Sequence, residues 1–221
     1  LLPMELEKFT NTYFGLLAKK AAPFGFQPEP LVAAVWKGTK AMVKNDGTET
    51  NDKRFWDTFA GEMGEEVLQL RPVFDGFYAN EFHGAKAACG ENPLARRAID
   101  GLKAKGYDVI LATNPIFPMV GVETRLSWVG LRPEDFSYIT AYENSTTCKP
   151  NPAYYAEILR NTGKRPQECL MVGNDATEDT AALEQGIGVY LVTDCLLNPK
   201  GRDISGVPQG TFAAFLEFAG V

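Results

Sequence analysis

From residue 4 to about residue 84 the apolar positions recur at helical spacing. Met4, Leu6, Phe9, Tyr13, Phe14, Leu16 and Leu17 fall about three and four apart, which places them on one helical face. Further helices are predicted over about 30–43, around 55–59 and over 65–82, the last with Pro72 near its middle. Asn45-Asp46-Gly47 and the segment from Gly61 to Gly64 supply the breaks. The aromatic residues of this stretch, Phe9, Tyr13, Phe14, Trp36, Phe55, Trp56, Phe59, Phe74, Phe77, Tyr78 and Phe82, read as the core of a helical bundle.

After Gly84 the period changes. Asn92-Pro93 marks a helix start, Leu94, Ala98, Ile99 and Leu102 form its buried stripe, and Gly106 ends it. A short apolar strand at 107–113 follows. The unit then repeats: helix 120–129, strand 138–141, a helix from Pro152 capped by Asn151, strand 169–172, helix 177–185 and strand 189–193. Residues 196–210 are turn-rich, and a last helix starts near Thr211. The expected fold is therefore α/β: a doubly wound, mainly parallel sheet with helices on both faces (85–221), beside an all-helical domain (4–84).

Composition narrows the class. With 45% of 221 residues apolar, the chain can bury a substantial core, which excludes a disordered or fibrous protein. The 22 Lys and Arg against 28 Asp and Glu give a net charge of −6, so no long-range field attracts nucleic acid or an anionic membrane. No apolar run approaches the ~20 residues of a membrane helix, and a cytoplasmic protein is expected. Cys89, Cys148, Cys169 and Cys195 stand singly and read as reduced thiols. The Asn144-Ser145-Thr146 sequon reads as accidental, and His83, the sole histidine, as structural. No nucleophile motif accompanies that histidine, and no strand is followed by a dinucleotide-binding glycine pattern.

In an open parallel sheet, ligands bind beyond the carboxyl ends of the strands. The first strand ends in Thr113-Asn114, a hydroxyl and following amides suited to a phosphate oxygen. The second leads through Glu143 to Lys149-Pro150-Asn151-Pro152, where prolines restrict the backbone around a lysine. Replacing a lysine that serves this site is expected to remove turnover while sparing stability. The third ends in Val172-Gly173-Asn174-Asp175, followed by Asp179. Two carboxylates four apart at a helix start suit Mg2+, a hard cation commonly held by one or two carboxylates plus phosphate. Together these residues make a phosphoryl-transfer set.

ATN at 112–114, KPNPAYY at 149–155 and VGNDATED at 172–179 resemble, in this order and spacing, the second, third and fourth motifs of the haloacid dehalogenase superfamily. The resemblance covers residues 92–195. It implies that Thr113, with Asn114, binds the phosphoryl group, that Lys149 offsets its charge, and that Asp175 and Asp179 hold Mg2+. It also implies that the helical residues are a cap. The implied activity is a Mg2+-dependent phosphatase acting on a small phosphorylated metabolite through a phosphoaspartyl intermediate. A mutase or phosphonatase would use the same constellation, and a catalytically silent phosphate- and metal-binding regulatory module is the alternative. The sequence departs from the family in two places. No Asp-x-Asp strand precedes Leu1, so the nucleophile is expected upstream, and Phe74-Asp75-Gly76 lies in a predicted helix. Asn174 stands where many relatives carry aspartate, and charge favours Asp175 as the ligand. The family's sheet places the first-motif strand between those ending at Thr113 and Val172. The chain is therefore expected to leave that slot for upstream residues or for another segment or chain.

Overall fold

The structure is a computed structural model and describes residues 2–221. Its helical part comprises α1 (Leu6–Ala21), α2 (Pro28–Val43), α3 (Asn51–Met63) and α4 (Arg71–Ala79), with 3-10 segments at Glu65–Leu70 and Glu81–Ala88. The expected single helix over 65–82 is thus three elements. Pro72 lacks an N–H and its ring crowds the preceding turn, so it is tolerated in the first turn of α4 and not mid-helix. Met4 lies outside α1: it bridges antiparallel to Cys89, while the Gly90 N–H donates to the Pro3 carbonyl at 2.8 Å. The segment before α1 therefore runs beside the connection from the helical part to the α/β part.

The expected aromatic core is present, except that Trp36 is half exposed. Phe82 is its hub, fully buried, with the rings of Tyr78, Tyr13, Phe77 and Phe9 within 5.3–6.1 Å. Phe117 and Trp128, from the α/β part, join it at 5.9 and 5.3 Å. One aromatic cluster therefore spans both parts of the molecule. His83 is exposed and accepts a bond from the Trp128 indole N–H at 3.2 Å, which fits its structural reading.

The α/β part runs α5 (Ala95–Ala104), β1 (Ile110–Leu111), α6 (Met119–Ser127), β2 (Tyr138–Ile139), α7 (Pro152–Thr162), β3 (Leu170–Gly173), β4 (Gly188–Val192), β5 (Gln209–Gly210) and α8 (Phe212–Ala219). All pairings are parallel, but they form two sheets, β1–β2 and β3–β4–β5. β1 does not pair with β3. Both border one apolar cluster built on α7, to which Tyr154, Tyr155 and Ile158 contribute together with Ile110, Ala112 and Met171.

Four expectations need correction. β1 and β2 are shorter than predicted, pairing over two residues each, whereas β4, paired on both sides, is the longest strand. The turn-rich segment contains a strand, β5. The helix expected over 177–185 is a 3-10 segment, Thr180–Gln185. Asp175 Oδ1 accepts from the Thr177 and Glu178 amides at 2.7 and 2.8 Å, the N-cap pattern of a helix start, and the coil tightens to 3-10 geometry from Thr180. Likewise α5 begins after a turn in which the Ala95 N–H donates to the Asn92 carbonyl, so Leu94 and not Asn92 is its N-cap residue. Asn151 caps α7 as predicted, accepting from the Ala153 N–H at 3.0 Å. Asn144 donates to the Ile139 carbonyl and accepts from the Ala141 N–H, so its amide closes a turn. Among the described residues no helix is long and apolar enough to cross a membrane.

Replacing Phe82 with Ala should cost about 3–5 kcal/mol, as for a large core aromatic. Denaturant unfolding followed by Trp fluorescence would measure it, and a loss below about 1 kcal/mol would show that the two parts do not share this core.

Candidate active site at the strand ends

The C-terminal ends of β1 and β3 meet around a buried ion pair. Lys149 Nζ lies 2.7 Å from Asp179 Oδ1, and both side chains are only 5% exposed. The Tyr154 and Tyr155 rings flank the ammonium at 5.7 and 5.9 Å. Lys149 begins the loop that turns into α7, and its bond to Pro150 is cis. Its burial revises the expectation that its removal would spare stability. Taking away one partner of a desolvated pair leaves an uncompensated charge, at a cost of about 3–5 kcal/mol.

Asp179 is held on its other oxygen as well. Oδ2 accepts from the backbone N–H groups of Asn174 and Asp175 at 2.8 and 2.9 Å. The carboxylate occupies the space where a side chain on Gly173 would begin, so any Cβ there would overlap it. This is why glycine ends β3.

Thr113 is fixed from behind. Its carbonyl accepts from the Tyr154 and Thr140 hydroxyls at 2.7 and 2.8 Å. Its own hydroxyl has no hydrogen-bond partner among the described residues. Asn114 bridges the other two loops: Oδ1 accepts from the Lys149 N–H at 3.2 Å and Nδ2 donates to Glu178 Oε1 at 2.8 Å. Thr113, Asn114, Lys149, Asp175 and Asp179 are therefore assembled in one place. The Asn174 amide donates to the Cys195 carbonyl at 2.7 Å and braces the loop after β4. Asp75 lies on α4, in the helical part.

Four residues that carry the site were not singled out from the sequence. Tyr154 and Tyr155 are fully buried, one fixing Thr113 and the other donating to the Glu178 carbonyl at 2.8 Å. Their place in KPNPAYY, directly after the lysine, was the available signal. Glu157, also buried, holds the approach to Lys149 by accepting from the Thr146 N–H and hydroxyl. Glu178 faces the Asn114 amide. Burial, reinforced by Asp175 and Asp179 and opposed by Lys149, pushes its carboxyl up to about 7.

No group of three or more metal-binding side chains lies together among the described residues. Mg2+ needs fewer, since waters and a phosphate commonly complete its shell. Asp175 has one carboxylate oxygen on backbone amides and the other without a partner among the described residues, whereas both Asp179 oxygens are engaged. The donor set fits Mg2+ with Asp175 as direct ligand and Asp179 behind it.

The fold has known counterparts. A predicted phosphoglycolate phosphatase from Haemophilus somnus aligns with a TM-score of 0.56 at 18% identity, over 95% of this chain and 91% of that one. A haloacid dehalogenase family enzyme from Bacteroides thetaiotaomicron, solved with magnesium and inorganic phosphate, gives 0.50 at 17%, over 93% and 92%. L-2-haloacid dehalogenase from Xanthobacter autotrophicus gives 0.50 at 14%, over 90% and 75%. At these identities the likeness is one of fold. No curated protein matches the sequence. The family model for haloacid dehalogenase-like hydrolases matches residues 15–186, most of the sequence and all three motif segments, and the chain belongs to that family.

Proposed function

We propose that the protein is a Mg2+-dependent phosphatase acting on a small phosphorylated metabolite. The observation that carries this reading is the buried Lys149–Asp179 pair at the strand ends, with Asn114, next to Thr113, accepting from the Lys149 N–H. A fixed cation beside hydrogen-bond donors stabilises the charge of a transferring phosphoryl group. Its place over parallel strand ends is where open parallel sheets bind ligands. The carboxylates at the β3 end favour phosphoryl transfer over dehalogenation, which needs no metal.

In this reading the Thr113 hydroxyl and the amides after it bind phosphoryl oxygens, and Lys149 offsets their charge. Asp175 would hold Mg2+ directly, with Asp179 fixing both Lys149 and the Asp175 amide. The metal, when bound, supplies electrostatic neutralisation of the phosphoryl oxygens. The nucleophile would be an aspartate carboxylate at the strand ends, beside the facing edges of β1 and β3, which have no strand partner among the described residues. Its carboxylate oxygen bonds to phosphorus as the ester oxygen leaves and takes up a proton. Water then cleaves the acyl phosphate, releasing inorganic phosphate and restoring the carboxylate. The helical part, residues 4–84, would act as a cap over this site.

Release of inorganic phosphate from a panel of phosphate esters, with Mg2+ and with chelator, tests the reading. It requires metal-dependent turnover of at least one ester by the natural protein, and fails if none is hydrolysed. Mg2+ should raise the melting temperature of the protein by mass action. Asp175→Asn should remove most of that shift, and an undiminished shift would refute Asp175 as ligand.

Glu178 gives a pH signature. Its carboxyl binds a proton more tightly in the folded protein than in the unfolded chain, so its contribution to stability is complete in acid and is lost as pH rises to about 7. Without Mg2+, Glu178→Gln should flatten the fall in stability between about pH 5 and 7. An unchanged profile would show that Glu178 is not desolvated.

A further inference from the structure

Asn51, the first residue of α3, is fully buried although it lies in the helical part. Its Nδ2 faces three acceptors in the α/β part: the Pro115 carbonyl at 3.2 Å, the Thr147 carbonyl at 3.3 Å and Cys148 Sγ at 3.4 Å. Pro115 directly follows Thr113-Asn114, and Thr147-Cys148 directly precede Lys149. One amide therefore ties together the two loops that must keep register if a hydroxyl and a cation are to meet the same phosphoryl group.

The backbone of α3 makes the same connection. The first N–H groups of a helix have no intrahelical acceptor. Here the Asn51 N–H donates to the Ser145 carbonyl and the Asp52 N–H to the Tyr142 carbonyl, each at 2.8 Å. The remaining Asn51 oxygen accepts from Asn45 Nδ2 at 2.9 Å, a contact within the helical part alone. Asn45 is in turn held by the Glu49 carbonyl and Arg54. The side chain thus has two ends, one on its own turn and one on the site loops.

We infer that Asn51 is a positioning residue, a latch through which the helical part sets the distance between the Thr113-Asn114 loop and Lys149. Opening the molecule at the start of α3 would break this latch and loosen the Lys149 backbone, which is otherwise tied to Asn114 through its N–H. A displacement of about 1 Å at such a group can cost a hundredfold in rate. Only the turnover part of the test rests on the phosphatase reading.

The experiment compares Asn51→Ala with Asn45→Ala in the whole protein. Asn45→Ala weakens the same helix end but leaves the contacts to Pro115, Thr147 and Cys148 in place. Hydrogen exchange at the Lys149 amide should accelerate about tenfold or more in Asn51→Ala and stay near wild type in Asn45→Ala, at comparable losses of melting temperature. Turnover of any ester the protein hydrolyses should follow the same order, with kcat falling more than KM changes. Should Asn51→Ala not fold, Asn51→Ser is compared in its place. Equal effects of the two variants on Lys149 exchange, or no effect of either, overturn the inference. If the wild-type protein hydrolyses no ester, the phosphatase reading fails, and the exchange measurement still decides the latch.

Discussion

The structure depends on one buried charge pair. Lys149 and Asp179 come from segments thirty residues apart, and neither could be desolvated without the other. Their environment follows from that constraint. Tyrosine faces line the ammonium, two backbone amides satisfy the second carboxylate oxygen, and the residue before those amides is glycine because the carboxylate fills its side-chain space. The pair also does structural work that strand pairing does not. Since β1 and β3 share no hydrogen bonds, the two sheets are joined by the apolar cluster on α7 and, at the site, by the polar contacts of Lys149 to Asp179, Asn114 to Glu178 and the Tyr155 hydroxyl to the Glu178 carbonyl.

The helical part is fastened to this frame by two different kinds of contact. Around Phe82 the fastening is apolar: Phe117 and Trp128 enter its ring cluster. At the start of α3 it is polar, through the Asn51 side chain and the Asn51 and Asp52 backbone N–H groups. The Trp56 indole N–H adds a bond to the Tyr142 hydroxyl at 3.2 Å, within the same boundary. Apolar packing is non-directional and fixes which surfaces meet, whereas hydrogen bonds fix register. The register-setting contacts fall on the loops that carry the site.

Much of this was legible in the sequence because it rests on local rules. Helical spacing of Phe9, Tyr13 and Leu17 marks a buried face, all three being buried in α1. Asn151-Pro152 announces a helix start, and residues after predicted strands announce a site. What could not be read is non-local. Neither the pairing of Lys149 with Asp179 nor the burial of Asn51 against Pro115 follows from spacing, since each depends on how distant loops close. Boundaries erred where the turn after β3 tightened into a 3-10 segment and where Pro72 fell inside an otherwise helical pattern. Glu178 was passed over because a glutamate beside two aspartates reads as a solvated helix start until its burial is seen.

The most direct test of the account is a double-mutant cycle on Lys149 and Asp179, using Lys149→Met and Asp179→Asn with stability measured by denaturant unfolding. Each single substitution leaves the other charge buried, while the double variant removes both. The account predicts that each single variant loses about 3–5 kcal/mol and that the double variant loses less than the sum, with a coupling of about 2 kcal/mol or more. Losses that add to within about 0.5 kcal/mol would contradict it, because they would show that the two charges do not meet in the folded protein.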